Sequence, residues 1–258
     1  MTPKLIDTHC HLNFDQFDLD RSEVLQRAHD VGVVAFVNPS VDLADSRHVV
    51  ALAQEIPNLY AAIGFHPNDA ASFNEAALSE LRELAQQPKV VAIGEIGLDY
   101  HWNESPPEVQ KSVFEQQLTL ASELNLPVII HQRDAAADTM TILQQWANQP
   151  HPYLVLHSFS SDLAVAKMAL DLGFYLGISG PITFKNPKEL PDVVAFAPLS
   201  RLLVETDSPF LSPHPFRGKR NEPAQVKLVA EKIAQIKGLS YAETCQQLTE
   251  NSLAFFHL

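Results

Sequence analysis

Val90-Val91-Ala92-Ile93-Gly94-Glu95-Ile96 is an apolar run that does not alternate with polar residues, yet it carries a carboxylate one position from its end. A strand buried on both faces reads this way, as in a parallel sheet covered by helices. Seven further short runs rich in Val, Ile and Leu share the pattern, at residues 4–8, 33–38, 59–64, 127–131, 153–157, 174–179 and 202–206. Six of the eight lead into residues able to bind a metal or move a proton: His9 and His11, His66, Glu95, His131, His157 and Asp207. Packing alone does not account for such an arrangement.

The connections between the runs have helical spacing. Ser105-Pro106-Pro107-Glu108 predicts a capping box, followed by an apolar stripe of Val109, Val113, Phe114, Leu118, Ala121 and Leu124. Residues 22–28, 44–55, 74–86, 137–147 and 162–172 have similar character, with Gly173 as a terminator. Residues 187–197 contain Pro191 and predict a short or broken helix. Two closing helices are expected at 223–236 and 240–256, the second opened by Ser240-x-x-Glu243. Eight strands alternating with helices predict an α/β chain folded as a single-domain (β/α)8 TIM-type barrel over residues 1–258.

Composition bounds the function. With 46% apolar and 19% charged residues the chain has the makings of a large core. Its apolar runs fall well short of the roughly 20 residues a membrane-spanning helix needs. Met1-Thr2-Pro3 leads straight into the first run, so no signal peptide and a cytoplasmic location are expected. Cys10 and Cys245 make no disulfide framework. A net charge of −13 argues against broad, groove-filling contact with nucleic acid, which leaves a strand end or a small phosphorylated substrate. No obligate protein partner is evident.

The strand ends suggest specific roles. His9 and His11, two apart in an extended segment, can reach one ion, although two histidines satisfied near a turn are the plainer alternative. Asp7 is expected to anchor the loop backbone or orient a ligand, and Cys10 to face the core. Glu95, charged within an apolar strand end, calls for a cation, and bridging two metals would use both its oxygens. His131 and His157 read as a second ligand pair. Asp207 suits both metal ligation and acceptance of a proton from the attacking water. Glu205 reads as a buried structural acid or as a partner that orients a ligand, whereas Asp99 and Tyr100 fit loop structure and site equally. His66 fits either a phosphate or oxyanion contact or a turn before proline. Arg133 and the cluster Phe216-Arg217-Gly218-Lys219-Arg220-Asn221 are solvated faces or, beside metals, phosphate clamps, with Arg217 and Lys219 the contacts favoured.

Taken in order, His9-x-His11, Gly64-Phe65-His66-Pro67, Gly94-Glu95-Ile96-Gly97-Leu98-Asp99-Tyr100, His131-x-Arg133-Asp134-Ala135, His157-Ser158-Phe159, Glu205-Thr206-Asp207-Ser208-Pro209 and Arg217-Gly218-Lys219-x-Asn221-x-Pro223 resemble the TatD family of metal-dependent hydrolases. The resemblance implies a distorted (β/α)8 barrel of the amidohydrolase superfamily and a deoxyribonuclease of 3′ to 5′ exonuclease character. It implies two divalent ions, one held by His9, His11, Glu95 and Asp207 and the other by Glu95, His131 and His157, with His66 and Arg133 facing phosphate. Mixed imidazole and carboxylate ligands suit Zn²⁺, Mn²⁺ or Ni²⁺, and the family points also to Mg²⁺. The competing expectations are hydrolysis of a small-molecule ester, amide or lactone on the same metals, and a non-catalytic metal or nucleic-acid binding module.

Overall fold

A computed structural model describes residues 3–102 and 104–258. Met1 and Thr2, on which the expectation about a leader partly rests, lie outside the described residues. Eight strands, β1 (Leu5–Asp7), β2 (Val33–Pro39), β3 (Leu59–Ile63), β4 (Val90–Asp99), β5 (Val128–Arg133), β6 (Leu154–Leu156), β7 (Tyr175–Ile178) and β8 (Leu202–Val204), are ordered sequentially in one sheet. The recorded pairings are parallel. Sequential parallel strands alternating with helices define the α/β, TIM-type fold that the strand pattern predicts.

By contact density the chain divides into two units. The first comprises Met1–Asn38, Ser158–Leu170 and Tyr175–Leu258. It holds helices α1 (Arg21–Asp30), α6 (Leu163–Asp171, but for its end), α7 (Leu190–Phe196), α8 (Val226–Lys237) and α9 (Tyr241–Phe256). Its core includes Leu5, Val33, Phe36, Leu176, Leu202, Ile233 and Phe255, all inaccessible to solvent. Burying each such side chain contributes roughly 1.5–3 kcal/mol. Ser240 and Glu243 form the expected capping box on α9. Helix α7 has only seven residues, as Pro191 in its first turn predicts.

The second unit comprises Pro39–His157 and Asp171–Phe174, with helices α2 (Leu43–Glu55), α3 (Glu75–Leu84), α4 (Pro107–Leu124) and α5 (Ala136–Trp146). All ten residues of β4 are buried, the physical counterpart of its non-alternating sequence. The strand runs to Asp99 rather than stopping at Ile96, because Gly97, Leu98 and Asp99 stay in register with His131, Gln132 and Arg133. Gly97 makes this closeness possible: a Cβ there would stand 2.0 Å from the His131 carbonyl oxygen. From Ile93 to Ile96 the strand advances three residues while its partner advances two, from Val128 to Ile130, so the pairing is irregular where Gly94 and Glu95 lie. Such a bulge re-aims side chains.

The capping box expected at residues 105–108 does not form. Helix α4 begins at Pro107 with Pro106 as its cap, one residue later than that motif requires, and no side chain caps it. The Ser105 hydroxyl instead donates to Asn68 O and accepts from the Ala71 amide. Val113, Phe114, Leu118 and Ala121 are buried as expected, whereas Val109 at the start of the stripe is exposed. No described helix is long and apolar enough to cross a membrane.

Candidate metal centre

In the first unit the chain bends at Thr8 and His9 after β1 ends at Asp7, and His9 and His11, two residues apart, present their rings to the same place. His9 Nε2 lies 3.3 Å from His11 Nε2. Asp207 Oδ1 lies 3.7 Å from the first nitrogen and 3.5 Å from the second. Ligand atoms each about 2.1 Å from one ion stand about 3.4 Å apart along a tetrahedral edge, so these separations fit a bound divalent cation. Both histidines are buried, and two imidazoles beside a carboxylate are a donor set suited to such an ion.

The candidate ligands are held through the backbone. Asp7 Oδ1 accepts from the Thr206 amide at 2.9 Å and Oδ2 from its hydroxyl, while the His9 amide reaches Oδ1 at 3.4 Å. Burial pushes the Asp7 carboxyl up, against the Thr206 bonds. The Asp207 amide donates to His9 O and the His11 amide to Ser208 O, which lashes the two ligand segments together. Asp207 itself has φ of +57°, a left-handed conformation that Asp tolerates better than most residues. Cys10 faces the core, fully buried. Glu205 is a buried acid that accepts from the Ser158 amide, and a Cβ on Gly177 would come within 2.6 Å of its Oε2.

The second unit gathers its polar groups from four strands, His66 just beyond β3, Glu95 and Asp99 within β4, His131 within β5 and His157 just beyond β6. Glu95 Oε1 lies 2.6 Å from His131 Nδ1 and 2.6 Å from His157 Nε2, and those two nitrogens are 3.3 Å apart. On its other side His131 Nε2 is 2.9 Å from Asp99 Oδ2. A carboxylate bonded to one ring nitrogen orients the other toward a metal. Asp99 is thus drawn into the site, which settles the choice left open by the sequence. Tyr100 turns away, donating to Asp138. His66 lies 3.9 Å from Glu95 Oε1, its ring 4.4 Å from that of His131, and His66, Asp99 and His131 form a further set able to hold an ion.

The electrostatics follow from burial and pairing. Burial drives His66 down to about 3, helped by the neighbouring His131. It also disfavours charge on His131, yet the bonds to Asp99 and Glu95 outweigh it and raise that group. Asp99 is pushed up by burial but drawn down further, to about 2, by His131 and the amides of Trp102 and His101.

Two buried glutamines that carry no signal of chemistry in the sequence fix the segments of this unit. Gln110 accepts from the Asp99 amide and donates to the carbonyls of Asp99 and Ser105. Gln117 accepts from the Phe65 amide and donates to Phe65 O, beside His66. Amide side chains seven residues apart, two turns along the buried face of α4, were the available signal. Asn221 plays a similar part in the first unit, donating to Thr206 O and Phe210 O.

The cationic residues differ in their commitments. Arg133 is exposed and lies over the Trp102 ring, 5.4 Å from its centroid. Arg217 packs 3.7 Å from the Phe184 ring and bonds Ser212 O. Lys219 is exposed, and Arg220 is locked to both carboxylate oxygens of Asp20.

Similarity to other proteins fixes the class. The chain is 46% identical over 254 residues to a Bacillus subtilis protein described as an uncharacterized metal-dependent hydrolase, YabD, spanning 98% of this chain and 99% of the relative. It too is a metal-dependent hydrolase. Residues 6–257 match the family model described as TatD related DNase, and the chain belongs to the TatD family. The crystal structure of YJJV, a TatD homolog from Escherichia coli K12, superposes with a TM-score of 0.94 at 34% identity and full coverage of both chains. The Shigella flexneri protein described as 3′-5′ ssDNA/RNA exonuclease TatD is 36% identical over 239 residues, 91% of this chain and 92% of that one.

Proposed function

We propose that the protein is a divalent-metal-dependent exonuclease that hydrolyses phosphodiester bonds from the 3′ end of a DNA strand. The observation that carries this reading is the convergence of His9, His11 and Asp207 at 3.3–3.7 Å in a member of a family that includes a 3′-5′ ssDNA/RNA exonuclease. Two ions are proposed, with His9, His11 and Asp207 as ligands in the first unit and Glu95, His131 and His157 in the second. When bound, such ions polarise a phosphoryl oxygen and lower the pKa of bound water.

The protein's own groups do the rest. Asp207 accepts the proton of the attacking water, a task suited to a carboxylate at this position. Asp99 fixes the ring of His131, and Asp7 fixes the turn that carries Asp207. His66, Arg133, Arg217 and Lys219 are proposed to meet the phosphate, where the fork of an arginine matches two oxygens. A strand end rather than a long duplex is the fitting substrate for a chain of net charge −13.

The test uses a single-stranded oligonucleotide labelled at its 5′ end. A ladder shortening from the 3′ end, abolished by chelation and by a blocked 3′ terminus and restored by Mn²⁺ or Mg²⁺, is expected. Failure to cut any strand with any divalent ion, alongside saturable turnover of a small ester or lactone, would replace this reading with a small-molecule hydrolase.

A further inference from the structure

Among the described residues of the second unit Trp102 is the most exposed large aromatic side chain, with 59% of the residue exposed, and its turn is bonded to Asp99 of the candidate centre. Its position is not that of a casual loop residue. The Trp102 amide donates to Asp99 Oδ1 at 3.0 Å, and the other oxygen of that carboxylate holds His131 at 2.9 Å. One buried side chain therefore bonds both the His131 imidazole and the main chain that carries the exposed ring. The His101 amide donates to the same Oδ1 at 2.9 Å, so the turn is fixed at two successive residues.

Trp146, also in this unit, provides an internal contrast. It is half-buried, donates from Nε1 to Ser122 Oγ and packs against His151, ring centroids 4.7 Å apart, which is what a tryptophan used by the fold looks like. Trp102 instead is flanked by two groups of recognition chemistry. The Arg133 guanidinium lies 5.4 Å from its ring centroid, within cation–π range, and His101 meets it edge-on at 5.1 Å. An exposed aromatic ring beside a cation is the arrangement on which unpaired bases stack, because every base offers a π-face. Stacking also supplies affinity without positive charge, which suits so acidic a chain.

We propose that Trp102 is a nucleobase-stacking residue. It receives a base of the single strand near the scissile phosphate, and Arg133, held against it, turns its guanidinium to the backbone. The inference rests on the strand-end nuclease reading and narrows it to a substrate recognised by its base without regard to sequence. Trp102 positions substrate and takes no part in proton transfer.

Two measurements test it. In the first, kcat/KM is compared for oligonucleotides with a normal or an abasic 3′-terminal pair of nucleotides. Trp102→Ala is expected to lower the preference for the base-bearing strand about tenfold, the lower part of the range for one stacked base, and Trp102→Phe to restore most of it. A preference unchanged in Trp102→Ala, in an enzyme that still degrades the strand, would overturn the stacking role and leave the nuclease reading intact. The second measurement needs no turnover: Trp146→Phe leaves Trp102 as the sole tryptophan, and a phosphorothioate oligothymidylate should quench its fluorescence saturably while the abasic analogue does not. Were the wild-type enzyme to cut no strand, the nuclease reading would fall and this titration alone would decide, saturable quenching supporting the inference and its absence refuting it.

Discussion

The candidate ligand sets of the two units are built by different means. In the first unit His9, His11 and Asp207 are fixed through their main chains, by the Asp207 amide on His9 O, the His11 amide on Ser208 O and the bonds of Thr206 to Asp7. In the second unit the site side chains hold one another, His131 between Glu95 and Asp99 and His157 on Glu95, while glutamines of α4 hold the segments beneath. Backbone lashing fixes a ligand wherever its own side chain goes. Mutual side-chain bonding makes each member depend on the next, so the second unit should be the more cooperative and the more easily broken.

The sharpest test of this contrast is to remove one candidate ligand from each unit. Glu95→Ala strips both His131 and His157 of a partner at 2.6 Å, and is expected to reduce metal content and to lower kcat/KM on the order of 10³-fold or more. His11→Ala leaves His9 and Asp207 on their backbone supports, and should lose metal with less disturbance of its neighbours. Metal analysis together with NMR of the histidine rings separates the two. Full metal and full activity in Glu95→Ala would end the assignment of that residue.

One step outward, Asp99→Asn keeps the size and an acceptor oxygen but gives up the charge that orients His131. Metal affinity should fall about 10–100-fold, as for other partners of ligating histidines, with little change in fold. Titration with Mn²⁺ or Zn²⁺ measures it. An unchanged affinity would show that His131 needs no orienting carboxylate, and the second unit would then resemble the first.

How far this contrast was legible in the sequence depends on its physical origin. The sequential strand order and the strand-end residues His9, His11, Glu95, His131, His157 and Asp207 could be read, because burial on both faces leaves an uninterrupted apolar run that polar groups interrupt visibly. Glu205 was recognisable as a buried acid and Asp7 as an anchor on the same grounds. The role of Asp99 was not decidable, since it turns on β4 continuing in register beyond Ile96, and register is a property of two strands. Ser105 misled because a capping box needs the helix to begin at the next residue, and the Pro106-Pro107 pair shifts that start by one. Arg220 looked like its neighbours in the basic cluster until the distant Asp20 supplied its partner.

Gln117 probes the scaffold rather than the ligands. Gln117→Leu preserves the buried bulk of α4 but leaves the Phe65 amide and carbonyl without the bonds at 2.7 and 3.2 Å. Each buried group left unsatisfied costs about 1–3 kcal/mol. Urea unfolding should therefore report a loss of a few kcal/mol, with a smaller effect on metal affinity than Asp99→Asn. The reverse order would mean that α4 serves the site more than the fold.

The smallest expected effect lies at the surface of the first unit. Asp20 accepts from Arg220 at 2.6 and 2.8 Å and lies 3.5 Å from Arg27, and Arg220, its chief partner, holds its carboxyl below the usual range. A carboxyl lowered in the folded state binds its proton less tightly there than when unfolded. The unfolded chain then holds the excess protons on acidification, so the stabilisation is complete above the unfolded carboxylate range and is lost as pH falls through the folded value. The pair is partly exposed, so solvent and salt screen it and the contribution should be about 1 kcal/mol at most. Asp20→Asn should flatten the acid limb of the stability profile slightly without altering metal affinity, which leaves the chemistry of the centre to the buried groups. A large loss of metal in Asp20→Asn would show instead that the loop carrying Arg217, Lys219 and Arg220 is coupled to the ligands, and that main-chain lashing alone does not hold the first unit's centre in place.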